Sequence, residues 1–198
     1  MNITKKYYQD NSKEFFNSTI CADVSSLYDH FLKYVPMKGC ILDLGCGSGR
    51  DTKAFMSLGF CLDAIDGSEE LCKLASEYTG ITVQCMDFSE LSVIEKYDAV
   101  WACASLLHVE SKALGEILAK VWYSLRDGGV LYMSFKYGDF EGERNGRFFN
   151  DMNKEKFGKL FGTMKGWIIV EDWISEDVRH EKNNQWYNVV LRKDCFRG

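Results

Sequence analysis

Proline and histidine are scarce in this sequence, and neither sign of charge dominates it. Its 198 residues include one proline, Pro36, and three histidines. Proline-rich linkers and low-complexity segments are therefore excluded, and no internal repeat is visible. The formal net charge is −5, so the chain lacks the overall basic excess typical of nucleic-acid-binding proteins. A local basic patch is still compatible with this charge.

The sequence also lacks paired metal ligands and long hydrophobic runs. Its cysteines are scattered without C-x-x-C pairs, which argues against a zinc site or a disulfide framework and favours reduced thiols. No hydrophobic run approaches the length of a membrane-spanning helix, and the first residues lack the apolar run of a signal peptide. We therefore expect a cytoplasmic protein with no bound metal and no membrane partner. The eight cysteines are Cys21, Cys40, Cys46, Cys61, Cys72, Cys85, Cys103 and Cys195.

The most informative feature that is present is a glycine-rich turn after an apolar strand. The segment reads Ile41-Leu42-Asp43-Leu44-Gly45-Cys46-Gly47-Ser48-Gly49-Arg50-Asp51. Glycine carries no Cβ and tolerates positive φ, so a strand-to-helix turn of this kind can bring its backbone close to a ligand. We predict that this turn binds a nucleoside cofactor.

The spacing of the glycines helps to distinguish the possible cofactors. A dinucleotide fingerprint reads G-x-G-x-x-G, but here the third glycine comes one residue early and Arg50 occupies its place. Asp43 adds a carboxylate that would repel a pyrophosphate but attract a cationic amino-acid group. S-adenosylmethionine fits this pattern because it carries a sulfonium and an ammonium and has no phosphate.

The segment Asp43-Leu44-Gly45-Cys46-Gly47-Ser48-Gly49 resembles the first motif of the class I S-adenosylmethionine-dependent methyltransferases. Later segments resemble the same family in order, over roughly residues 38–136. The resemblance implies S-adenosyl-L-methionine as cofactor and S-adenosyl-L-homocysteine as product. The cofactor-binding residues expected from it are Asp43, Gly45, Cys46, Gly47, Gly49, Asp66, Gly67, Asp87, Phe88 and Ala104.

Three of these residues have specific expected roles. Asp66 ends the second strand about 20 residues beyond the glycine turn, where an acid can accept both ribose hydroxyls. Asp87 and Phe88 follow the third strand, where the resemblance implies an acid facing the adenine amino group beside an apolar wall. The fourth strand then leads into residues 103–108, similar to the family segment that faces cofactor and substrate.

Strand and helix patterns alternate from residue 40 to about 135, which predicts a mostly parallel sheet covered on both faces. With the resemblance, this gives an α/β, Rossmann-like fold with seven strands, the last two an antiparallel pair over 167–174 and 186–191 joined by a charged connection over 175–185. With 46% hydrophobic residues, the chain suits a single domain. We divide it into an N-terminal helical lid (1–36), a cofactor-binding core (38–136), and a substrate loop, helix and last two strands (137–198). Predicted helices span 51–58, 69–78, 111–125 and 154–161.

The N-terminal segment contains aromatic residues in a polar context, Tyr7, Tyr8, Phe15 and Phe16. It resembles the lid of many small methyltransferases, and ring faces attract cations such as a sulfonium. Tyr7 and Tyr8 are therefore candidate substrate contacts. The alternative is that these rings only dock the first helix on the core.

Methyl transfer mainly requires that nucleophile, methyl and sulfur be aligned, so a strong catalytic residue need not exist. If the acceptor loses a proton, a base must lie within hydrogen-bond reach of it. His108 is the candidate because it follows the fourth strand at the carboxyl edge of the sheet, where ligands bind. The alternative is a histidine that caps a helix or packs against the cofactor.

Residues 134–149 leave the fifth strand where a substrate pocket should open. Their glycines and charges predict a loop. Lys136, Arg144 and Arg147 are candidates to hold an anionic group of the substrate, and Tyr137 is a candidate to orient the nucleophile. The alternative is a solvated loop in which the acids neutralise these bases, namely Asp139, Glu141 and Glu143.

Three functions stay open at this point. The first is a methyltransferase that acts on a small molecule, which the acidity, compactness and aromatic content favour. The second is a methyltransferase that acts on RNA or a modified nucleotide, whose binding would depend strongly on salt. The third is a binding or regulatory protein that keeps the cofactor fold without catalysis. A nicotinamide oxidoreductase is a distant fourth because of Arg50 and Asp43.

Overall fold

The computed structural model describes residues 3–178 and 184–194. Residues 179–183 of the charged connection predicted over 175–185, which include His180, therefore lie outside the described residues, as does Cys195.

Seven α-helices and nine β-strands make up the described part of the chain. The helices are α1 (Ile3–Asp10), α2 (Ser12–Thr19), α3 (Ser25–Leu32), α4 (Arg50–Ser57), α5 (Glu69–Thr79), α6 (Ser111–Ser124) and α7 (Lys154–Phe161). The strands are β1 (Cys40–Leu44), β2 (Cys61–Asp66), β3 (Gln84–Cys85), β4 (Tyr97–Ala102), β5 (Leu125–Lys136), β6 (Glu141–Arg144), β7 (Arg147–Asn150), β8 (Trp167–Glu176) and β9 (Gln185–Lys193). Each predicted helix is found within one residue of its predicted bounds.

Seven strands form one sheet in the order β3-β2-β1-β4-β5-β9-β8. The pairs from β3 to β5 are parallel, whereas β9 runs antiparallel to both β5 and β8. The predicted α/β, Rossmann-like sheet with a final antiparallel pair is confirmed. The parallel strands β1, β2 and β4 all end at one edge, which is where open sheets of this type bind ligands.

Alternation along the buried strands divides the core between the two faces of the sheet. On β1, Ile41 packs with Phe31 of α3 and Phe55 of α4. The next residue, Leu42, packs on the opposite face with residues of α6 such as Leu114 and Leu118. The apolar stripe predicted for α6 is buried as expected, because its residues recur every three or four positions. The rigid sheet therefore fixes the strand ends that carry the site.

The prediction of a loop over 134–149 is wrong in part, because this segment contains a β-hairpin. β6 and β7 pair antiparallel, with Arg144 opposite Arg147. The two residues between them, Asn145 and Gly146, have φ of 52° and 74°. Positive φ at both positions is what a two-residue hairpin turn requires, and Asn-Gly is its commonest sequence. The Asn-Gly turn was visible in the sequence, but the charges and glycines of the segment favoured the prediction of a loop.

Helix α1 lies against the ligand-binding edge of the sheet and against this hairpin. The Thr4 hydroxyl accepts a hydrogen bond from the Phe148 backbone N–H at 2.9 Å, which ties α1 to β7. The Gln9 side chain accepts one from the Ser68 hydroxyl at 3.1 Å, next to the start of α5. Within the described ranges, no helix is long and apolar enough to cross a membrane.

Candidate functional site

A cavity of about 850 Å³ opens at the carboxyl edge of the sheet, between the strand ends, α1 and the hairpin. It brings together thirteen of the seventeen residues that the sequence singles out. Those in its wall are Gly45, Cys46, Gly47, Asp66, Gly67, Asp87, Phe88, Ala104, His108, Tyr8, Lys136, Arg144 and Arg147. Asp43, Gly49, Tyr7 and Tyr137 are not among the described wall residues.

The three glycines of the turn have positive φ, of 84° at Gly45, 55° at Gly47 and 77° at Gly49. A Cβ on Gly47 would come 3.0 Å from the Phe15 ring, on the side of the cavity. A Cβ on Gly49 would instead lie 2.8 Å from Thr79 Cγ2. Gly49 therefore serves the packing of α4 against α5, and a contact of its backbone with the cofactor stays a prediction.

Asp43 lies beneath the glycine turn rather than in the cavity wall. It is 2% exposed, and its Oδ2 accepts a hydrogen bond from the Thr52 hydroxyl at 2.6 Å. Burial, with Asp51 nearby, raises the pKa of Asp43 above its usual range. Asp43 is set back from the described cavity wall and engaged by Thr52, and its direct contact with the ligand stays a prediction.

The acid that reaches the cavity from this region is Asp51, which the sequence analysis did not select. Its carboxylate accepts hydrogen bonds from the Tyr28 hydroxyl at 2.6 Å and the Trp101 indole at 2.8 Å, and it pairs with Arg50 at 2.6 Å. Burial alone would raise the pKa of Asp51, but Arg50 and these donors hold it below the usual value. Asp51 is thus held at the start of α4 by partners that favour its charged form. Its donors come from α3 and β4, which only the folded chain brings together.

Asp66 stands at the end of β2, facing the glycine turn. Its Oδ2 accepts a hydrogen bond from the Gly47 N–H, and its Oδ1 accepts one from the Ser68 N–H, both at 2.9 Å. Burial raises the pKa of Asp66, and these backbone donors oppose the shift. A carboxylate has about four acceptor sites, so the backbone donors of Gly47, Ser68 and Gly67 leave part of its acceptor capacity for a ligand.

Asp87 and Phe88 follow β3 at the opposite end of the glycine turn. The Lys5 ammonium of α1 donates to Asp87 Oδ2 at 2.6 Å. The Phe88 ring packs against the turn, since a Cβ on Gly45 would come 3.1 Å from its Cζ. Helix α1 therefore reaches across the cavity to the residues that the resemblance assigns to the adenine.

His108 and Tyr8 form a hydrogen-bonded pair on the cavity wall. His108 Nδ1 lies 2.6 Å from the Phe148 carbonyl oxygen, which can only accept, so Nδ1 carries the proton. Nε2 then accepts from the Tyr8 hydroxyl at 2.9 Å. Burial lowers the pKa of His108 to about 4, and Arg147 adds to the shift. The imidazole is neutral at pH 7, with its lone pair directed at Tyr8.

The basic residues at the hairpin end of the cavity differ in their partners. Arg144 makes a bidentate pair with Asp151, at 2.7 and 2.9 Å. The expected acids Asp139, Glu141 and Glu143 are therefore not its partners. Arg147 packs its guanidinium 4.5 Å from the centre of the Tyr7 ring, and Lys136 lies 5.8 Å from that of Trp186. The pairing of Arg144 with Asp151 came from across the turn and was not visible as a local pattern.

Tyr7 and Tyr137 are placed away from the cavity wall. Tyr137 is 44% exposed, and it follows Lys136, which does line the cavity; successive residues of an extended chain face opposite sides. The Tyr7 ring packs against the Arg147 guanidinium, whereas its neighbour Tyr8 lines the cavity. The expectation that Tyr137 orients the nucleophile is therefore corrected. Of the other rings, Phe15 lines the cavity, whereas Phe16 packs against Tyr78.

Comparison with known proteins finds similarity to methyltransferases. Residues 41–129 match the model of a family described as a methyltransferase domain. The chain is 24% identical over 139 residues to an uncharacterized methyltransferase of Staphylococcus carnosus, which covers 66% of this chain and 65% of the relative. It is 30% identical over 127 residues to the putative methyltransferase YqeM of Bacillus subtilis, covering 57% of this chain and 51% of the relative. The chain thus spans between half and two thirds of the length of these relatives.

A solved structure shows the same fold over nearly the whole chain. It is the 1,6-didemethyltoxoflavin-N1-methyltransferase of Burkholderia thailandensis, with 1,6-didemethyltoxoflavin and S-adenosylhomocysteine bound. The TM-score is 0.74 at 21% sequence identity, and the match covers 96% of this chain and 85% of the other. The resemblance inferred from the glycine turn is confirmed: the chain has the fold of the class I S-adenosylmethionine-dependent methyltransferases, and its residues 41–129 match a methyltransferase domain.

Proposed function

We propose that this protein binds S-adenosyl-L-methionine in the cavity and transfers its methyl group to a small-molecule acceptor by in-line displacement. The observation that carries the proposal is that the glycine turn, Asp66 and the Asp87–Phe88 pair meet in one cavity. These residues are separate in sequence, and each matches a segment of the methyltransferase fold. A sheet alone does not imply this function, but the joint placement of these residues supports it.

The residues of the cavity fit the chemical groups of this cofactor. The remaining acceptor capacity of Asp66 suits a ribose hydroxyl. The ring of Phe88 beside Asp87 suits a purine with an exocyclic amino group. The described wall also includes Asp51, but Arg50, Tyr28 and Trp101 already occupy the acceptor sites of its carboxylate, so it orders this end of the turn and offers no free site to an amino-acid ammonium. When bound, S-adenosylmethionine supplies a methyl group activated by its sulfonium.

The residues around the acceptor then have two tasks, to position it and to exclude water. Helix α1 and the hairpin close the cavity from the side opposite the sheet, since Thr4 binds Phe148 and Lys5 binds Asp87. An ordered enclosure of this kind favours alignment, which accounts for most of the catalysis in a displacement with a good leaving group. It also favours a small acceptor over a polymer.

Tyr8 and His108 provide a route for a proton if the acceptor loses one. A proton that leaves the acceptor can pass to the Tyr8 oxygen while the Tyr8 proton passes to His108 Nε2. Because the lowered pKa makes His108 a weak base, this transfer suits an acceptor that becomes acidic as it is methylated. His108 then acts through Tyr8 rather than by direct contact with the acceptor.

A turnover assay tests the proposal. The purified full chain is incubated with S-adenosylmethionine and a panel of small nitrogen, oxygen and sulfur nucleophiles, and mass spectrometry follows both S-adenosylhomocysteine and a product heavier by one methylene. We expect both to accumulate together, at the same rate. If RNA added to the assay is methylated and no small molecule is, the acceptor is an RNA and not a small molecule. Cofactor binding without methylation of either class would favour the non-catalytic alternative.

A further inference from the structure

Arg147 differs from the other described arginine of the hairpin in having no acidic partner. Arg144 and Arg147 are directly opposite each other in the β6–β7 pair, and like charges in this arrangement repel. Arg144 is neutralised by Asp151. Among the described residues, no carboxylate lies within ion-pair distance of Arg147, so one of two adjacent guanidinium groups is left without a counter-ion.

The hydrogen bonding of Arg147 is also incomplete. Its Nε–H is buried and has no hydrogen-bond partner among the described residues. Its Nη1 donates to the Tyr8 hydroxyl at the long distance of 3.4 Å. A buried donor without a partner costs free energy, and native structures keep such groups mainly where they have a functional reason.

Aromatic rings hold this guanidinium in place. Its carbon lies 4.5 Å from the centre of the Tyr7 ring, 5.1 Å from Phe149 and 5.8 Å from Tyr8. The hydrogen bond between Thr4 and Phe148 fixes the backbone on the C-terminal side of Arg147. A guanidinium restrained in this way loses little further freedom when it binds a ligand.

From these observations we propose that Arg147 is the binding site for a carboxylate group of the methyl acceptor. This inference rests on the proposed function, because it takes the cavity to be the acceptor site. Arg147 lines the cavity, and a guanidinium offers two parallel N–H donors that match the two oxygens of a planar carboxylate. A phosphate dianion calls for more than one available cation, and the neighbouring Arg144 is already paired with Asp151.

The neutral His108 sets where the rest of the acceptor lies. The carboxylate at Arg147 is next to Tyr8, whose hydroxyl leads to His108 Nε2. An acceptor of this class therefore has an acidic group on one side of Tyr8 and its nucleophilic atom on the other, towards the glycine turn. The described wall includes the rings of Tyr8, Phe15 and Phe148, which favours an aromatic acid.

Direct observation of the arginine side chain by NMR tests this site. The full chain, with ¹⁵N-labelled arginine, is titrated with benzoate at constant ionic strength, both alone and with S-adenosylhomocysteine. We expect the Arg147 Nε–Hε signal, assigned by its loss in Arg147→Lys, to shift in a saturable way. Benzamide, which has the same shape without the charge, should bind at least about tenfold more weakly. The matched control is the exposed Arg126, whose signal should not respond, and Arg126→Lys should bind benzoate as the unaltered chain does.

Three results would overturn the proposal: an Arg147 signal that does not move with benzoate, an equal response to benzamide or to sodium chloride, or tighter binding of phenyl phosphate than of benzoate. Thermal melting serves as the control that Arg147→Lys is folded. S-adenosylhomocysteine binding is read separately in the same samples. A folded chain that does not bind S-adenosylhomocysteine would count against the proposed function. A missing benzoate response with intact S-adenosylhomocysteine binding would count only against the carboxylate site.

Discussion

Replacement of Gly49 by alanine should destabilise the fold, although Gly49 belongs to the glycine turn. Two costs add. The residue has φ of 77°, and an L-residue in the left-handed region costs about 1–2 kcal/mol. The new Cβ would also lie 2.8 Å from Thr79 Cγ2 and 3.2 Å from Ala75 Cβ, and overpacking of this kind costs about 1–3 kcal/mol. We expect a loss of roughly 2–5 kcal/mol in the free energy of unfolding.

Gly80→Ala is the matched control for the backbone cost. Gly80 has φ of 84°, but a Cβ there would meet no atom within 4 Å. Urea denaturation of both variants without ligand gives the two losses, and their difference isolates the packing of α4 against α5. A Gly49→Ala variant no less stable than Gly80→Ala would refute the assignment of Gly49 to helix packing.

Three further perturbations follow from the site. Asp66→Ala should weaken S-adenosylmethionine binding by about 1–3 kcal/mol, because the ribose hydroxyls lose their acceptor. Calorimetry should show an unchanged affinity for the control variant Glu69→Ala, whose side chain is exposed. An Asp66→Ala variant that binds as tightly as the unaltered chain would contradict the ribose role. Because the folded-state pKa of His108 is about 4, below the ordinary 6.5, its contribution to stability is complete above pH 6.5 and is lost as the pH falls towards 4, by up to about 3 kcal/mol. The free energy of unfolding of His108→Asn should therefore depend less on pH between 6.5 and 4. An unchanged pH dependence would count against a buried neutral imidazole. Arg144→Gln should lower the free energy of unfolding by about 1–3 kcal/mol by leaving the buried Asp151 unpaired; a restored stability in Arg144→Gln/Asp151→Asn would support this cause, and an additive loss in the double variant would contradict it.

The sheet was predictable from the sequence because its signals are local. Apolar strand runs, the glycine turn and the three- and four-residue spacing in α6 each report on their own segment. The acids at the ends of β2 and β3, Asp66 and Asp87, followed from the order of these segments. Their positions in one cavity agree with the predicted sheet, and their roles stay predictions.

What the sequence did not reveal depends on contacts between distant segments. Asp43 and Asp51 flank the same turn and are both buried, and only the positions of Thr52, Tyr28 and Trp101 show which partners each of them has. The hairpin is a different case, because its Asn-Gly turn could have been recognised.

Pairing at the hairpin also depends on the tertiary structure. The pairing of Arg144 with Asp151, which leaves Arg147 without a described carboxylate partner, follows from the bend that carries the chain past β7. A count of charges along the segment treats the two arginines as equivalent, whereas the folded structure does not.

Calorimetric titration of the purified chain with S-adenosylmethionine, S-adenosylhomocysteine and NAD tests the central claim most directly. The account predicts saturable binding of the first two, with one site per chain, and no heat with NAD. Binding of NAD alone, or of none of the three by a folded chain, would contradict it.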